Sequence, residues 1–493
     1  MMGYLNPPSP VAEPGGKTTA IGSVPSWAYA LLAGVYMLVW GWASTVTSFW
    51  ADEEHTARMM ELGWKAMFHD LNIDVHPPLY FILVRIWHCF TGWMGMELSL
   101  RSFSVLSGAL GLLVYQRLFL RLYKDNWMVY YCILILSASP MLTFYATEAR
   151  SYQFLILILG VSWIQMLKLL DNPRSITTRL TLGLGLAALP YTHTIGTMAM
   201  LSFPIFMFLR AWGGNLRESQ LAAFRWSCYT GCLLYLPQIR TQIDQAVSHH
   251  HWWADRPSLN IFQVWRSLVL QFAGFSVQNR VDKYIAFIIS FIPFLPLGRE
   301  RLKSDAQKVF LSVFASLMFI PWLASQVITP FLIPRAVLPV TPFLVMALLS
   351  SLSSWGGWKA ILLVTGLIAT CWPDAWWNWH AGISRENMRA AAAFIAQHRQ
   401  KGDVIVRKGI IESWYLGRTG LPVVPIENAG KQYWLVQRSY TVNNCSIEDE
   451  CPGNHPKIYF ITAWLSLDSP VSPFFGLDVK RVIRKKSRRP GSF

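Results

Sequence analysis

Residues 77–96 read PPLYFILVRIWHCFTGWMGM, and their assignment decides the topology of the whole chain. The stretch is apolar enough to pass for a membrane-crossing helix, which needs about 20 such residues. Arg85 and His88 nevertheless fall in its middle. A central Arg in lipid costs at least ~2.5 kcal/mol on insertion scales. Counting the stretch as a span would also invert every later connection and put most of the basic ones outside. It is therefore read as an interfacial or re-entrant helix along the outer membrane face.

The rest of the composition agrees with a membrane protein. Charged residues make up 14% of the 493 and hydrophobic ones 53%, against a soluble norm of roughly 25% charged. The 24 Trp and 28 Phe suit aromatic side chains at membrane interfaces. A formal charge of +16 raises the question of nucleic acid, but the basic residues are scattered between apolar runs and no nucleic-acid fold signature accompanies them.

Eleven candidate spans are expected near 27–47, 100–120, 128–146, 151–169, 180–192, 194–210, 226–238, 284–298, 309–326, 336–353 and 357–373. Residues 1–25 read as a disordered cytoplasmic leader. The first span lacks a basic n-region and a cleavage site, so it is read as retained, with a cleaved signal peptide as the alternative. Four short connections carry the positive charge. They hold Arg117, Arg121 and Lys124; Lys168, Arg174 and Arg179; Arg210, Arg217 and Arg225; and Arg299, Arg301, Lys303 and Lys308. The positive-inside bias makes these cytoplasmic. The 48–99 loop, the 146–150 turn, the 239–283 loop and residues 374–493 then lie outside.

From residue 374 the composition shifts to that of a small α/β domain. A helix is expected over 385–400, strands at 403–407, 422–426, 433–437 and 457–464, and a short helix in IESWYLGR. Cys445 and Cys451 flank SIEDE in a polar loop, where a small disulfide suits an oxidising compartment and two free thiols are the alternative. The basic tail at 480–489 reads either as a contact to anionic headgroups or glycan or as a solvated end.

Just before the opening stretch, WADEEHTARMMELGWKAMFHDLNIDVH at 50–76 gathers Asp52, Glu53, Glu54, Asp70 and Asp74 beside His55, His69 and His76. One acid after a span reads as a solvated turn; this many, with three histidines, points to chemistry. Asp52 stands where the first span ends, a place for a general base at fixed height above the bilayer. The Pro77-Pro78 pair stiffens the backbone after Asp74 and His76, and also starts a helix well. Glu148 and Arg150 form a charged pair in a very short outward turn, with an internal salt bridge as the structural alternative. Arg335, between closely spaced spans, suits a phosphate grip or headgroup snorkelling. His193 caps a hairpin of two spans. The triplet His249–His251 has no metal-ligand spacing, and Trp252 and Trp253 beside it suit an interface or a sugar face.

In this order the motifs resemble the bacterial polyprenyl-phosphate-dependent glycosyltransferases of the C-type membrane fold, the group related to protein mannosyltransferases and the lipid A aminoarabinose transferase. The resemblance covers nearly the whole chain. It rests on ADEEHT, DVHPPLYFILVRIW, ELSLRSFSVLSG, SPMLTFYATEARSYQF, LPYTHTIG, LLYLPQIRTQ with HHHWWADRP, PRAVLPVTPFLVMAL, NMRAAAAFIAQHRQKGDVIV and SWYLGR. It implies an α-helical polytopic membrane protein in the bacterial inner membrane. It also implies an inverting sugar transfer, on the outer face, from a polyprenyl-phosphate donor such as undecaprenyl phosphate to a glycan, lipid or protein hydroxyl.

The resemblance makes Asp52 the catalytic base, with Glu53 helping to position the acceptor or a metal. His76, Glu148, Arg150 and Arg335 are assigned to the donor phosphate, and Asp74, Tyr80, Tyr152 and His193 to the substrate groove. His76 stands where relatives often carry Lys, which leaves a divalent metal ion on Asp52, Asp74 and His76 open. Ala336 stands where they often carry Tyr after the Arg. The rival classes are a transporter or lipid flippase, and a non-catalytic subunit of polysaccharide assembly. The former needs polar residues near the bilayer midplane and often repeat symmetry.

Overall fold

The computed structural model describes residues 24–248 except 75 and 124, 259–262 with 264–265, 304–327, 332, 334–353, 388–408, 414–425, 428, 432–438 and 477–483. The expected spans at 284–298 and 357–373, the strand at 457–464, the histidine triplet and the Cys445–Cys451 pair lie outside these residues.

The helices are α1 (Ser26–Val46), α2 (Ala51–Glu61), α3 (Trp64–Ile73), α4 (Pro78–Thr91), α5 (Met96–Leu122), α6 (Asn126–Ala138) and α7 (Pro140–Ala146). They continue with α8 (Tyr152–Asp171), α9 (Ile176–Thr192), α10 (Thr194–Trp212) and α11 (Glu218–Ser248). Then come α12 (Asp305–Val327, with one π turn at Ala315–Phe319), α13 (Thr341–Ser353) and α14 (Met388–His398). Among the described residues five helices are long and apolar enough to cross a bilayer: α1, α5, α8, α10 and α12. The bent pair α6–α7 makes a sixth.

Three features depart from the expected spans, each for a visible reason. The run at 128–146 is not one straight helix: Pro140 opens α7 and the axis bends by 57°, because proline removes a donor and disfavours helix in the residue before it. The span at 226–238 belongs to a 31-residue helix, α11, which runs on through Ser248. At 1.5 Å per residue that is roughly 46 Å, longer than a hydrocarbon core of about 30 Å. The start of the expected 239–283 loop is therefore helical. The stretch after Pro77 forms α4, of 14 residues, about 21 Å and too short to cross alone.

The bundle is built largely by helices that are not consecutive in sequence: α1 packs along α5, α5 along α8 and α9 along α11, while α8 packs along its successor α9. Its centre is aromatic. Trp163 of α8 stacks on Phe203 of α10 at 4.6 Å and meets Phe343 of α13 edge-on at 6.2 Å.

A second hydrophobic core sits at one end of the bundle. Phe49, Met59 and Met67 join Phe81 and Val84 of α4 there, and Met388, Ile395, Tyr415, Leu416 and Trp434 close it from the C-terminal region. That region is an α/β unit whose described residues form a four-stranded sheet in the order β2–β1–β3–β4. Here β1 is Ile405–Lys408, β2 Val423–Val424, β3 Gln432–Arg438 and β4 Leu477–Ile483. Strand β1 runs parallel to β2 and β3, and β4 antiparallel to β3. The first four residues of the basic tail, 480–483, thus belong to β4.

Candidate functional site

The site is assembled where α1 gives way to α2. Helix α2 starts at Ala51, with Trp50 as its N-cap, so Asp52 and His55 lie three residues apart on one face while Glu53 is turned by about 100°. That rotation separates the two acids of the pair.

Glu53 points inward and is fully buried. Arg101 of α5, also fully buried, donates from Nε to Glu53 Oε1 at 2.7 Å and from Nη2 to Oε2 at 2.6 Å. The rest of the guanidinium donates to the carbonyls of Ser44, Thr47 and Ser48 at 2.8, 2.6 and 2.8 Å. Glu53 Oε1 also accepts from the Ala149 amide at 2.9 Å. Glu53, expected beside the acceptor, instead holds the end of α1, the start of α2 and the turn after α7 together.

Asp52 faces the other way, with its side chain 28% exposed. Arg335, at the head of the turn before α13, donates from Nη1 to Asp52 Oδ2 at 2.7 Å. Arg150, in the turn between α7 and α8, donates from Nη1 to the Asp52 carbonyl at 3.0 Å. Burial opposes ionisation of Asp52, but the Arg150 and Arg335 charges outweigh it and hold the carboxyl below its ordinary value.

The other Arg150 nitrogen, Nη2, lies 2.6 Å from His76 Nε2. A guanidinium only donates, so His76 Nε2 accepts and its proton sits on Nδ1, 2.7 Å from Asp74 Oδ2. Burial and the Arg150 charge push His76 below its ordinary value, against the pull of Asp74; it is a neutral imidazole. His55 of α2 places Nε2 3.0 Å from the same Asp74 oxygen. Burial works against the Asp74 charge, yet hydrogen bonds from His55 and His76 hold its carboxyl far below the usual range.

Several contacts fix these parts. Thr56 donates to the Ala149 carbonyl at 3.0 Å and Ser104 to the Arg150 carbonyl at 3.2 Å. Gln245, near the end of the long helix α11, donates from its amide to the carbonyls of Leu71, at 3.0 Å, and of Asp74. The extension of α11 past its apolar part is what brings it there.

The remaining expected residues divide. His193 caps α10, its Nδ1 accepting from the Ile195 amide at 3.1 Å. Its ring lies 5.2 Å from that of Tyr152 and 6.4 Å from that of His76. Burial, with the Arg150 and Arg335 charges, holds it well below its ordinary value. Gly196 permits this hairpin, since a Cβ there would meet the Leu189 carbonyl oxygen at 1.9 Å. Glu148 lies in the same turn as Arg150 and is fully buried. Tyr80 is buried in the second core among the described residues, its ring 6.0 Å from Phe103.

Asp52, Asp74, His76, Arg150, His193 and Arg335 thus converge, with Tyr152 beside them. His55 joins them, although the acid-rich loop alone gave it no role; its i, i+3 relation to Asp52 was the available signal. Arg101 and Gln245 are the other partners that the pattern of residues left unassigned.

Neither a protein-family model nor a curated protein sequence matches the chain. Solved structures do match its fold. ArnT from Cupriavidus metallidurans bound to undecaprenyl phosphate superposes with a TM-score of 0.53 at 14% identity, over 85% of this chain and 94% of that one. The apo state of the same protein gives 0.54 at 14%, over 84% and 93%. The Archaeoglobus fulgidus oligosaccharyltransferase in complex with zinc and sulfate gives 0.54 at 11%, over 84% and 67%. At such identities the likeness is one of fold, and the chain has the polytopic helical fold of the C-type glycosyltransferases.

Proposed function

We propose that this protein is a membrane glycosyltransferase that moves a sugar from a polyprenyl-phosphate donor to an acceptor hydroxyl, with inversion and with Asp52 as general base. The observation that carries the reading is the convergence of one carboxylate with two guanidiniums. Asp52, Arg150 and Arg335 come from three distant parts of the chain and meet at one end of an apolar bundle. A lipid-phosphate donor needs that combination: cations for the phosphate, a base within reach of the attacking hydroxyl, and apolar helices for the tail.

In this reading the resting ion pair is a guard. Asp52 bonded to Arg335 is a weak base, because its carboxyl is held low. An arriving donor phosphate offers Arg335 and Arg150 a better anion, and Arg335 turning to it frees Asp52 Oδ2. The acceptor hydroxyl then gives its proton to Asp52 as its oxygen attacks the anomeric carbon from the side opposite the phosphate. The bond from that carbon to the phosphate oxygen breaks, and the polyprenyl phosphate leaves against the two arginines. His76 and Asp74 orient Arg150, while Glu53 and Arg101 set the angle of α2. The positive-inside pattern of the connections supports a bacterial inner-membrane protein with a cytoplasmic N-terminus and this site and the α/β domain outside.

A flippase or an assembly scaffold has no use for a base guarded by two phosphate-binding cations. The test is release of free polyprenyl monophosphate from a radiolabelled lipid-linked sugar by the purified protein with candidate acceptors. Release that depends on Asp52 supports the transferase. If Asp52→Asn protein, inserted and monodisperse, releases it at the wild-type rate, the base assignment is wrong.

A further inference from the structure

We propose that His55, Asp74 and His76 form a site for one divalent ion of the zinc class, whose binding releases Arg150. The three potential ligand atoms lie within 4.8 Å of one another. His55 Nε2 and His76 Nδ1 approach the same Asp74 oxygen at 3.0 and 2.7 Å. Ligands of a tetrahedral ion with bonds of about 2.0 Å sit on the order of 3.3 Å apart, so each histidine nitrogen has to draw back slightly from Asp74 while the two imidazole nitrogens, within 4.8 Å of one another, settle at that same spacing.

The donor set selects the metal. Two imidazoles with one carboxylate suit zinc, cobalt or other borderline ions, whereas magnesium and calcium prefer oxygen alone. Three protein ligands leave a position open, the arrangement of metal sites that take part in chemistry. The ligands come from separate supports. His55 is on α2, Asp74 is the C-cap of α3, and His76 precedes the proline that caps α4. Gln245 braces the Asp74 carbonyl.

Asp52, bonded to Arg335, lies outside this cluster.

One contact gives the site its consequence. An imidazole that ligates through Nδ1 carries its proton on Nε2 and then donates there. His76 Nε2 now accepts from Arg150 at 2.6 Å, and two donors cannot face each other. Metal binding and the Arg150–His76 bond therefore exclude one another. The ion frees Arg150 Nη2 for an oxyanion, while Nη1 keeps the Asp52 carbonyl. The role toward a donor phosphate rests on the transferase reading; the metal site does not.

The test uses full-length protein in detergent, its affinity tag removed and its metals stripped with chelator, titrated with Co²⁺ and then displaced with Zn²⁺. One Co²⁺ per chain with visible d–d bands is expected. His55→Asn and Asp74→Asn should each weaken binding by at least about tenfold, with gel filtration and circular dichroism unchanged. Arg150→Gln should tighten it, by removing both a positive charge and the competing donor, and Asp52→Asn should retain one Co²⁺ per chain. Undecaprenyl monophosphate should alter the cobalt spectrum. Substoichiometric binding, or binding indifferent to His55→Asn and Asp74→Asn, overturns the site. An unchanged affinity in Arg150→Gln overturns the coupling, and a cobalt spectrum blind to the lipid phosphate overturns the phosphate role. Absence of sugar transfer would sink the transferase reading and leave the cobalt result standing.

Discussion

Asp52 and Arg335 lie 283 positions apart and meet through a 2.7 Å ion pair at the mouth of the bundle. Neither partner is sealed off, with side chains 28% and 15% exposed, so the pair can be opened by a competing anion. Removing the carboxylate should therefore slow turnover without collapsing the fold. Asp52→Asn is expected to lower kcat by about 10²–10⁴-fold, the usual share of a positioned base. Donor KM should change far less. A loss confined to KM would place Asp52 in binding rather than in proton transfer.

Arg335 has a pH signature of its own. With Arg150 it holds the Asp52 carboxyl below its ordinary value, against burial. The base must be ionised to act, so the acid limb of kcat/KM for the free enzyme should fall below the ordinary carboxylate pKa of about 3.9. Taking away one cation raises the Asp52 pKa. Arg335→Gln should shift that limb to higher pH and raise donor KM together. A limb that stays in place in the variant would separate Arg335 from Asp52.

Much of this was legible in the residues, and the part that was not has physical causes. Hydrophobic runs and Arg85 set α4 apart from the spans, because length and the cost of a buried charge are local properties. Asp52, Arg150 and Arg335 stood out for the same reason: a charge between closely spaced apolar runs needs an explanation wherever it occurs. What the residues could not convey was direction. Glu53 reads as the twin of Asp52 in ADEEHT, yet one helical step turns it onto Arg101. Tyr80 reads as part of a groove and is packed into a core. Gln245 carries no signal until α11 is known to continue past its apolar part. Contacts such as Arg101–Glu53 join segments 48 positions apart, and no periodicity encodes them.

The Glu53–Arg101 pair makes a different prediction from Asp52. Both side chains are fully buried, and removing one partner of such a pair leaves an uncompensated charge at a cost of about 3–5 kcal/mol. Arg101→Leu should lower the detergent-solubilised Tm markedly and lose activity through instability. Glu53→Gln with Arg101→Met should recover part of the Tm, since the double change leaves no buried charge. Wild-type Tm in Arg101→Leu would remove the structural assignment.

The C-terminal unit reaches the start of α2 through Tyr415. Its hydroxyl accepts from the Phe49 amide at 3.0 Å and donates to Glu97. Phe49 is fully buried and stands just before the N-cap Trp50. Its ring lies against the Arg101 guanidinium at 5.1 Å and against Trp414 at 5.7 Å. Nearby, the Trp414 amide donates to Glu54 at 2.8 Å, so α2 is gripped at two points. Tyr415→Phe keeps the packing but leaves the Phe49 amide without its acceptor, a loss of about 1–3 kcal/mol. That loss falls where Asp52 is positioned. Amide exchange should quicken across residues 47–53 while the bundle helices stay protected, and kcat should fall more than donor KM rises. If exchange in that segment is unchanged, the C-terminal unit does not set the position of Asp52.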